Sequence, residues 1–450
     1  MKILVCVKVI KGEINPFDES ALECALRLSD DVTVISMGPE NCKDVLAPLT
    51  RLGAKVILIS DKVFAGSDTL ATSYILSTAI KGMEFDLILC GRQSIDGDTA
   101  QVGAMLSKML NVSLITNALT VESDGEKVYS DCRTGKEEAP LPALVTVERG
   151  YVLRFPSIFS KAGHVTVLDN SSLNCDVSRC GLEGSPTRVV EAFENQRGRR
   201  NCQFINNDEL FPLIDKLLKE DRHISSIEPS GEKLSLAWAI GSRVYDKAAQ
   251  IAKEVVLIDT IAPEEIAKKA LEENPEAIIW NADWWGRKNA PVAAAILNTG
   301  LCADCTMLEV ENETLYMYRP AQGGNITAKI KCLTRPQMAT VRTKVKSEDI
   351  VVSGGKGVAD KFDEIKKLAE KLGAEVGASR GLVDMNVASY DMQIGLTGKT
   401  VSPRIYIAAG ISGAVHHTCA IEGADTVIAI NPDKNARIFE YADYGVLEEF

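Results

Sequence analysis

Nowhere in the 450 residues do eighteen apolar positions run together, so no helix is expected to cross a membrane. The basic excess of nucleic-acid and anionic-membrane binders is missing too. The net charge is −12 and the sequence pI is near 5.1, which disfavours both as partners. Cys302 and Cys305 form a CxxC without a second pair or a nearby histidine, which reads as structural thiols before a metal or redox site. The opening stretch MKILVCVKVI lacks the charged–apolar–small order of a signal peptide and reads as a buried first strand. The twelve cysteines are irregularly spaced and suit a reducing compartment. A cytoplasmic protein is expected.

What is present is ordinary for a globular chain: 46% hydrophobic and 25% charged residues over a length that should divide into about three domains. Residues 1–60 alternate apolar runs (ILVCVKVI, VTVISMG, KVILIS) with amphipathic helical patterns, the signature of a parallel sheet with helical crossovers. Asn15-Pro16-Phe17-Asp18 stands just ahead of the first helix and is either a plain cap or the border of a ligand site. FDLILCGRQSIDGDTAQVG reads as strand, polar turn and helix start, placing Thr99, Gln101 and backbone donors where a phosphate binds. Asp68, Thr69, Thr72 and Ser73 open another helix. Residues 113–150 read as a strand-rich insert that returns to the sheet through PALVTVE. ELFPLIDKLLKED is an amphipathic helix, and the pattern resets near Arg222–Ser230. The pair Trp284-Trp285 reads as core or interface packing, with a flavin contact as the rival.

The C-terminal segment is organised around two strand–glycine-turn–helix units, IVVSGGKGVADKF and YIAAGISGAVHH. Such units bring backbone N–H groups up to an anion. Neither matches GxGxxG or GxxxxGK[ST], so spacing alone points to an anionic ligand of nucleotide type.

The motifs SRGLVD, QIGLTGK and GISGA with His417, then AIN with Asp433, followed by ADYG, resemble the FAD-binding domain of the electron-transfer flavoprotein alpha subunit. The start of the chain resembles the beta subunit, so the whole looks like a beta–alpha fusion. The resemblance implies an α/β fold of three domains. Residues 1–222 would be a beta-like nucleotide-binding domain with a C-terminal arm that wraps the FAD domain. Residues 223–346 would be an alpha N-terminal-like domain, shortened ahead of Ala277, the two forming a parallel-sheet base of adenine-nucleotide alpha-hydrolase type. Residues 347–450 would be a Rossmann-like FAD domain.

The same resemblance implies the site residues. Arg380 would lie over the flavin ring, with Ser379 and Thr397 at or near N5. Gln393, Ile394, Gly395, Leu396 and Gly398 would line the ring and ribityl. Ser412, Gly413, Ala414 and Val415 would take the pyrophosphate, with Lys356 beside it. His417 would approach the C2 carbonyl beside His416, and Asn431, Asp433 and Glu449 would hold the adenosine end. A second nucleotide, AMP or a second FAD, would bind at Cys6, Asn15, Met37, Asp68, Thr69, Thr72, Asp96, Gly97, Asp98, Thr99, Gln101, Val102 and Gly103. Phe155, in YVLRFPSIFSKAG, would anchor partner docking. Expected donors are NADH or a flavin dehydrogenase such as an acyl-CoA dehydrogenase, and expected acceptors include ferredoxin or flavodoxin. The rivals are a two-FAD form that splits electrons from NADH and a redox-silent sensor of adenine nucleotides.

Overall fold

The structure, a computed structural model, describes residues 1–194, 200–219, 231–321, 326–343 and 349–450. The expected junction at Arg222–Ser230 and the boundary between 346 and 347 lie outside them. Two compact units result. The first comprises Met1–Ala192, Gly231–Gln322 and Ala328–Val341, and the second Phe193–Ser230, Gly323–Thr327 and Arg342–Phe450.

The first unit holds two parallel sheets. One runs, edge to edge, Gly135–Pro140, Lys127–Cys132, Ser113–Ala118, Ala143–Val147, Leu87–Gly91, Lys2–Val7, Asp31–Met37, Lys55–Ile59 and Val165–Leu168. Its central strands are parallel, and only the Lys127–Pro140 hairpin turns back. Strands such as Ala143–Val147 are buried at every position, because helices cover both faces of a parallel sheet. Lys2–Val7 has Asp31–Met37, the next strand of this sheet in chain order, on one side and Leu87–Gly91 on the other. Such a reversal opens a crevice at the carboxyl ends of the two strands.

The second sheet repeats this plan in the order Ala252–Ile258, Leu234–Ile240, Ala277–Asn281, Gln337–Val341, Leu301–Cys305, all parallel. It has no counterpart of Lys55–Ile59 or of the helix Thr69–Ile80 among the described residues. A single helix, Pro263–Glu273, stands between Ile258 and Ala277. Relative to the first sheet, the second is one strand–helix unit shorter ahead of Ala277 among the described residues. Between the sheets Leu70 and Met105 share a core with Trp238, Trp280 and Ala294. Trp285 stacks on Trp280 at 5.7 Å, while Trp284 is exposed, so the pair packs the core through one ring. Cys302 and Cys305 are buried, and desolvation pushes the Cys305 thiol well up, which fits inert structural thiols.

The second unit holds one sheet in the order Gln203–Phe204, Tyr444–Val446, Thr426–Ile430, Ile405–Ala409, Ile350–Gly354, Glu375–Ala378. Every pair is parallel. From Ile350 onward this is the doubly wound order with its reversal between Ile350–Gly354 and Ile405–Ala409. The helix Asn207–Lys219 lends Leu210 and Ile214 to this core. Arg200 donates to the carbonyls of Ala424 and Asp425 and pairs with Asp443. The described part of the arm, residues 200–219, packs against the sheet of the second unit, and the first unit's opening stretch closes at Ala192. The cause is the arm's own amphipathic face, which buries against this sheet.

Candidate functional site

In the second unit the strand reversal brings two glycine turns into contact. A Cβ on Gly355 would stand 2.2 Å from the Gly410 carbonyl oxygen, and one on Gly413 would stand 2.2 Å from the Ile438 nitrogen. Gly410 and Gly413 also adopt φ of +60° and +85°, open to glycine at little cost. Among the described residues the N–H groups of Ser412, Gly413 and Ala414 donate to no backbone carbonyl. They remain available to an anion. On the same carboxyl edge the exposed Lys356 lays its chain against Gly381, where a Cβ would meet Lys356 Cε at 2.7 Å. Arg380, half-buried, pairs with Asp384 at 3.2 Å. Open donors and two cations form a cradle that fits the pyrophosphate and anionic ring of FAD.

The segment Gln393–Lys399 is a fixed platform beside the cradle. Ile394 N–H donates to Ala378, Leu396 N–H to His416, and Lys399 N–H to Gln393. Arg342 Nη2 donates to the Leu396 carbonyl at 3.1 Å. Tyr390 OH donates to the Thr397 carbonyl, and Gln393 Nε2 to Thr397 Oγ1, both at 2.7 Å. Gln393 and Thr397 are buried, so their side chains serve each other before any ligand. Gly395 turns its Cα toward the His416 carbonyl, and Gly398 lies over Gln393.

His417, expected to approach a flavin carbonyl, is tied to the sheet inside the protein. Its ring is buried, with Nε2 2.8 Å from Tyr406 OH and Nδ1 3.0 Å from the Ile394 carbonyl. Burial lowers its pKa to about 4, against the opposing pull of that carbonyl. The ring is neutral at pH 7. It takes the tautomer that accepts from Tyr406 and donates to Ile394, which leaves no N–H for a ligand. Its placement ties the platform to the sheet, and the neighbouring His416 is exposed. Asn431 is likewise occupied: Nδ2 donates to the Ile411 carbonyl and Oδ1 accepts from Asp433 N–H, bracing the Ser412–Ala414 turn. Asp433 and Glu449 are exposed, and Lys361 holds the Phe450 carbonyl at 2.7 Å.

The first unit's crevice collects the second set of expected residues on one sheet edge. Cys6 and Met37 end the strands Lys2–Val7 and Asp31–Met37. Asn15 is buried and bridges the turns, giving Nδ2 to the Gln93 carbonyl and accepting from Ile95 N–H. Asp96 pairs with Lys8 at 2.7 Å and takes its neighbour Gly97's N–H, so it is neutralised rather than turned on a phosphate. Asp98 is held by Gln93 at 3.0 Å. Asp98 and Ala100 adopt φ of +50° and +54°, a tight turn into the helix Val102–Leu110. Among the described residues the N–H groups of Gln101, Val102 and Gly103 have no backbone acceptor, as at any open helix start. A Cβ on Gly103 would strike Thr146, so this glycine serves helix–strand packing.

Other expected contacts are spent inside the protein. Asp68 caps its own helix through Leu70 and Ala71 N–H and binds both N–H and Oγ1 of Thr187. Thr69 donates to Gln101, whose Nε2 donates to the Leu301 carbonyl. Thr72 reaches back to Ser67. Thr99 is half-buried, with a hydroxyl that makes no hydrogen bond among the described residues.

Sequence reasoning missed Arg319. This side chain is 4% exposed and donates through Nη2 to the Asp98 carbonyl at 3.1 Å. Among the described residues it has no carboxylate partner, and its Nε is unsatisfied. A buried cation so placed is costly unless an anion compensates it. If this crevice holds an adenine nucleotide, Arg319→Gln should weaken AMP binding to it about tenfold to a hundredfold and leave any flavin of the second unit unchanged; calorimetry with AMP and an absorbance scan check both.

The segment around Phe155, expected to dock a partner, is presented on a fixed base. Arg154 binds Glu23 through its own N–H and its guanidinium at 2.9–3.1 Å. Arg51 donates to the Ser157 and Ser160 carbonyls. Held this way, Phe155, Ile158 and Phe159 are 94%, 85% and 89% exposed. Phe155 is thus one of three apolar side chains offered together.

Two family models match the chain. The electron transfer flavoprotein domain matches residues 3–172 and again 232–371. The electron transfer flavoprotein FAD-binding domain matches residues 344–422. Similar proteins include an electron transfer flavoprotein subunit alpha of Thermoanaerobacterium thermosaccharolyticum, 42% identical over 40% of this chain and 69% of its own length. A subunit beta of Megasphaera elsdenii is 36% identical over 49% of this chain and 97% of its own length. Protein FixB of Clostridium saccharobutylicum is 38% identical over 53% of this chain and 88% of its own length.

Proposed function

The chain belongs to the electron transfer flavoprotein family, and from that premise we propose that it carries electrons through FAD held in the second unit. The observation that carries this reading is a coincidence of position. The FAD-binding match at 344–422 falls on the one strand reversal of that sheet, with its open N–H groups and the cations Lys356 and Arg380. When bound, FAD would supply the redox chemistry between donor and acceptor. The protein's residues bind and tune. Ser412, Gly413 and Ala414 would take the pyrophosphate, Lys356 would neutralise it, and Arg380 would favour the anionic reduced ring. The Gln393–Lys399 platform, locked by His417 and Arg342, would keep the ring's edge out of water.

The first unit's crevice would hold a second adenine nucleotide against the Gln101–Gly103 donors and Arg319, either AMP or a second FAD. In the two-FAD form NADH is the donor, and ferredoxin or flavodoxin takes one of the electrons. With AMP the chain is a simple relay for a flavin dehydrogenase such as an acyl-CoA dehydrogenase. Phe155, Ile158 and Phe159 would receive the partner. Denaturing the purified chain and counting FAD and AMP per polypeptide tests this. Two FAD and no AMP favour the NADH-linked form, and one of each favours the relay. A chain that carries AMP but neither holds nor takes up FAD contradicts the proposal and favours an adenine-nucleotide sensor.

A further inference from the structure

Asp18 is a buried carboxylate in the first turn of the helix Pro16–Leu28, and nothing in the proposed electron path uses it. One oxygen accepts Lys8 N–H at 2.7 Å and the other accepts Gly91 N–H at 3.1 Å. Those two amides close the strands Lys2–Val7 and Leu87–Gly91, the pair whose divergence opens the first unit's crevice. The fit is close: a Cβ on Gly91 would stand 2.2 Å from Asp18 Oδ1. Two further ties span the same gap, the Asn15 amide to Gln93 and Ile95 and the Lys8–Asp96 ion pair.

We propose that Asp18, in its ionised form, is the positioning residue of the second-nucleotide crevice, stapling the Lys8 and Gly91 turns at the spacing a nucleotide requires. This rests on the reading that the first unit binds such a nucleotide. A carboxylate can accept at both oxygens, whereas a protonated one presents an O–H that faces a donor and releases one turn. Few groups compete for control. Lys8 is the cation that acts on the carboxylate, Asp96 is held by Lys8, and the Cys90 thiol, hydrogen-bonded to Cys6 and buried, stays protonated with its pKa pushed well up.

Burial raises the Asp18 pKa from 3.8 to about 7, against the lowering effect of the two amides and Lys8. The staple therefore forms as pH rises through about 7 and loosens below it. Folding stability has the opposite sign. An acid whose pKa is higher folded than unfolded binds extra protons when folded, so stability declines as pH rises between those two values.

The test is calorimetry of AMP binding to the full-length, FAD-loaded chain at pH 6 and pH 8.5, for the natural protein and Asp18→Asn. Because the phosphate of AMP itself titrates near pH 6, adenosine is titrated in parallel. At pH 8.5 the variant is expected to bind both ligands roughly tenfold more weakly, because its amide NH2 faces one of the two N–H donors. The natural protein is expected to lose affinity for adenosine from pH 8.5 to pH 6, and the variant to show no such change. Far-UV circular dichroism and thermal unfolding report whether the variant's first unit is folded. If the variant does not fold, Gly91→Ala displaces the same carboxylate and is expected to weaken adenosine binding at pH 8.5. A variant that binds as tightly as the natural protein, or a natural protein whose adenosine affinity is flat with pH, overturns the role of Asp18 and leaves the second-nucleotide site standing. A natural protein that binds neither AMP nor FAD in its first unit overturns the second-nucleotide reading, and this inference falls with it.

Discussion

Gly413→Val is expected to yield a protein without FAD whose first unit is intact. The residue adopts φ of +85°, where a β-branched side chain is strained. Its Cβ would also stand 2.2 Å from the Ile438 nitrogen and 2.5 Å from the Arg437 carbonyl carbon. Backbone cannot yield as a flexible side chain does, so the Ser412–Ala414 turn must move away from Ile438. Ile438 N–H donates to the Ser412 carbonyl at 3.2 Å, and that bond would break. The donors for the pyrophosphate would then point elsewhere, and FAD affinity should drop at least about a hundredfold, since each lost charge-assisted bond costs on the order of 1.5–3 kcal/mol. Flavin absorbance after gel filtration measures this, and AMP binding to the first unit serves as the internal control. A Gly413→Val protein that elutes yellow with full FAD would show that this turn is not the pyrophosphate site.

The second large effect belongs to the docking segment. Replacing Phe155, Ile158 and Phe159 together by serine should slow electron transfer from a flavin dehydrogenase by roughly thirtyfold or more, because buried aromatic anchors each contribute on the order of 2 kcal/mol to an interface. FAD content and potential should not change, since the segment is held within the first unit by Glu23 and Arg51. Stopped-flow reduction at varied dehydrogenase concentration separates the outcomes. A raised half-saturation with an unchanged limiting rate places the effect in docking. Three exposed apolar side chains in five residues otherwise expose surface with no return in stability.

The sheets were legible because a strand buried on both faces must be apolar at nearly every position. LILCG, ALVTV and IYIAA admit few other readings, and glycines at their carboxyl ends marked both crevices. The missing strand–helix unit was visible as plain shortage of chain ahead of Ala277. What stayed hidden depends on contacts that no local pattern encodes. Arg319 and Asp98 are 221 positions apart, and an arginine in a strand otherwise reads as a solvated edge. Asp18 reads as an ordinary first-turn acid, and only the fold reveals that its two oxygens take amides from two strands. The internal hydrogen bonds of Asp68, Thr69 and Thr72 were not legible, because Ser, Thr and Asp at a helix start satisfy backbone donors as readily as a phosphate does. His417 illustrates the same ambiguity: a histidine beside a glycine turn reads equally as a ligand or a buried tie, and its contact with Tyr406 is invisible in the sequence.

The most direct test of the central claim is anaerobic reduction of the purified chain, followed by flavin absorbance. NADH or a partner dehydrogenase is added first and a one-electron acceptor second. The account predicts a yellow protein whose absorbance bleaches with the donor and returns with the acceptor, with FAD still bound afterwards. A colourless protein that takes up no added FAD, or a flavin that the donors reduce no faster than free FAD, would contradict it.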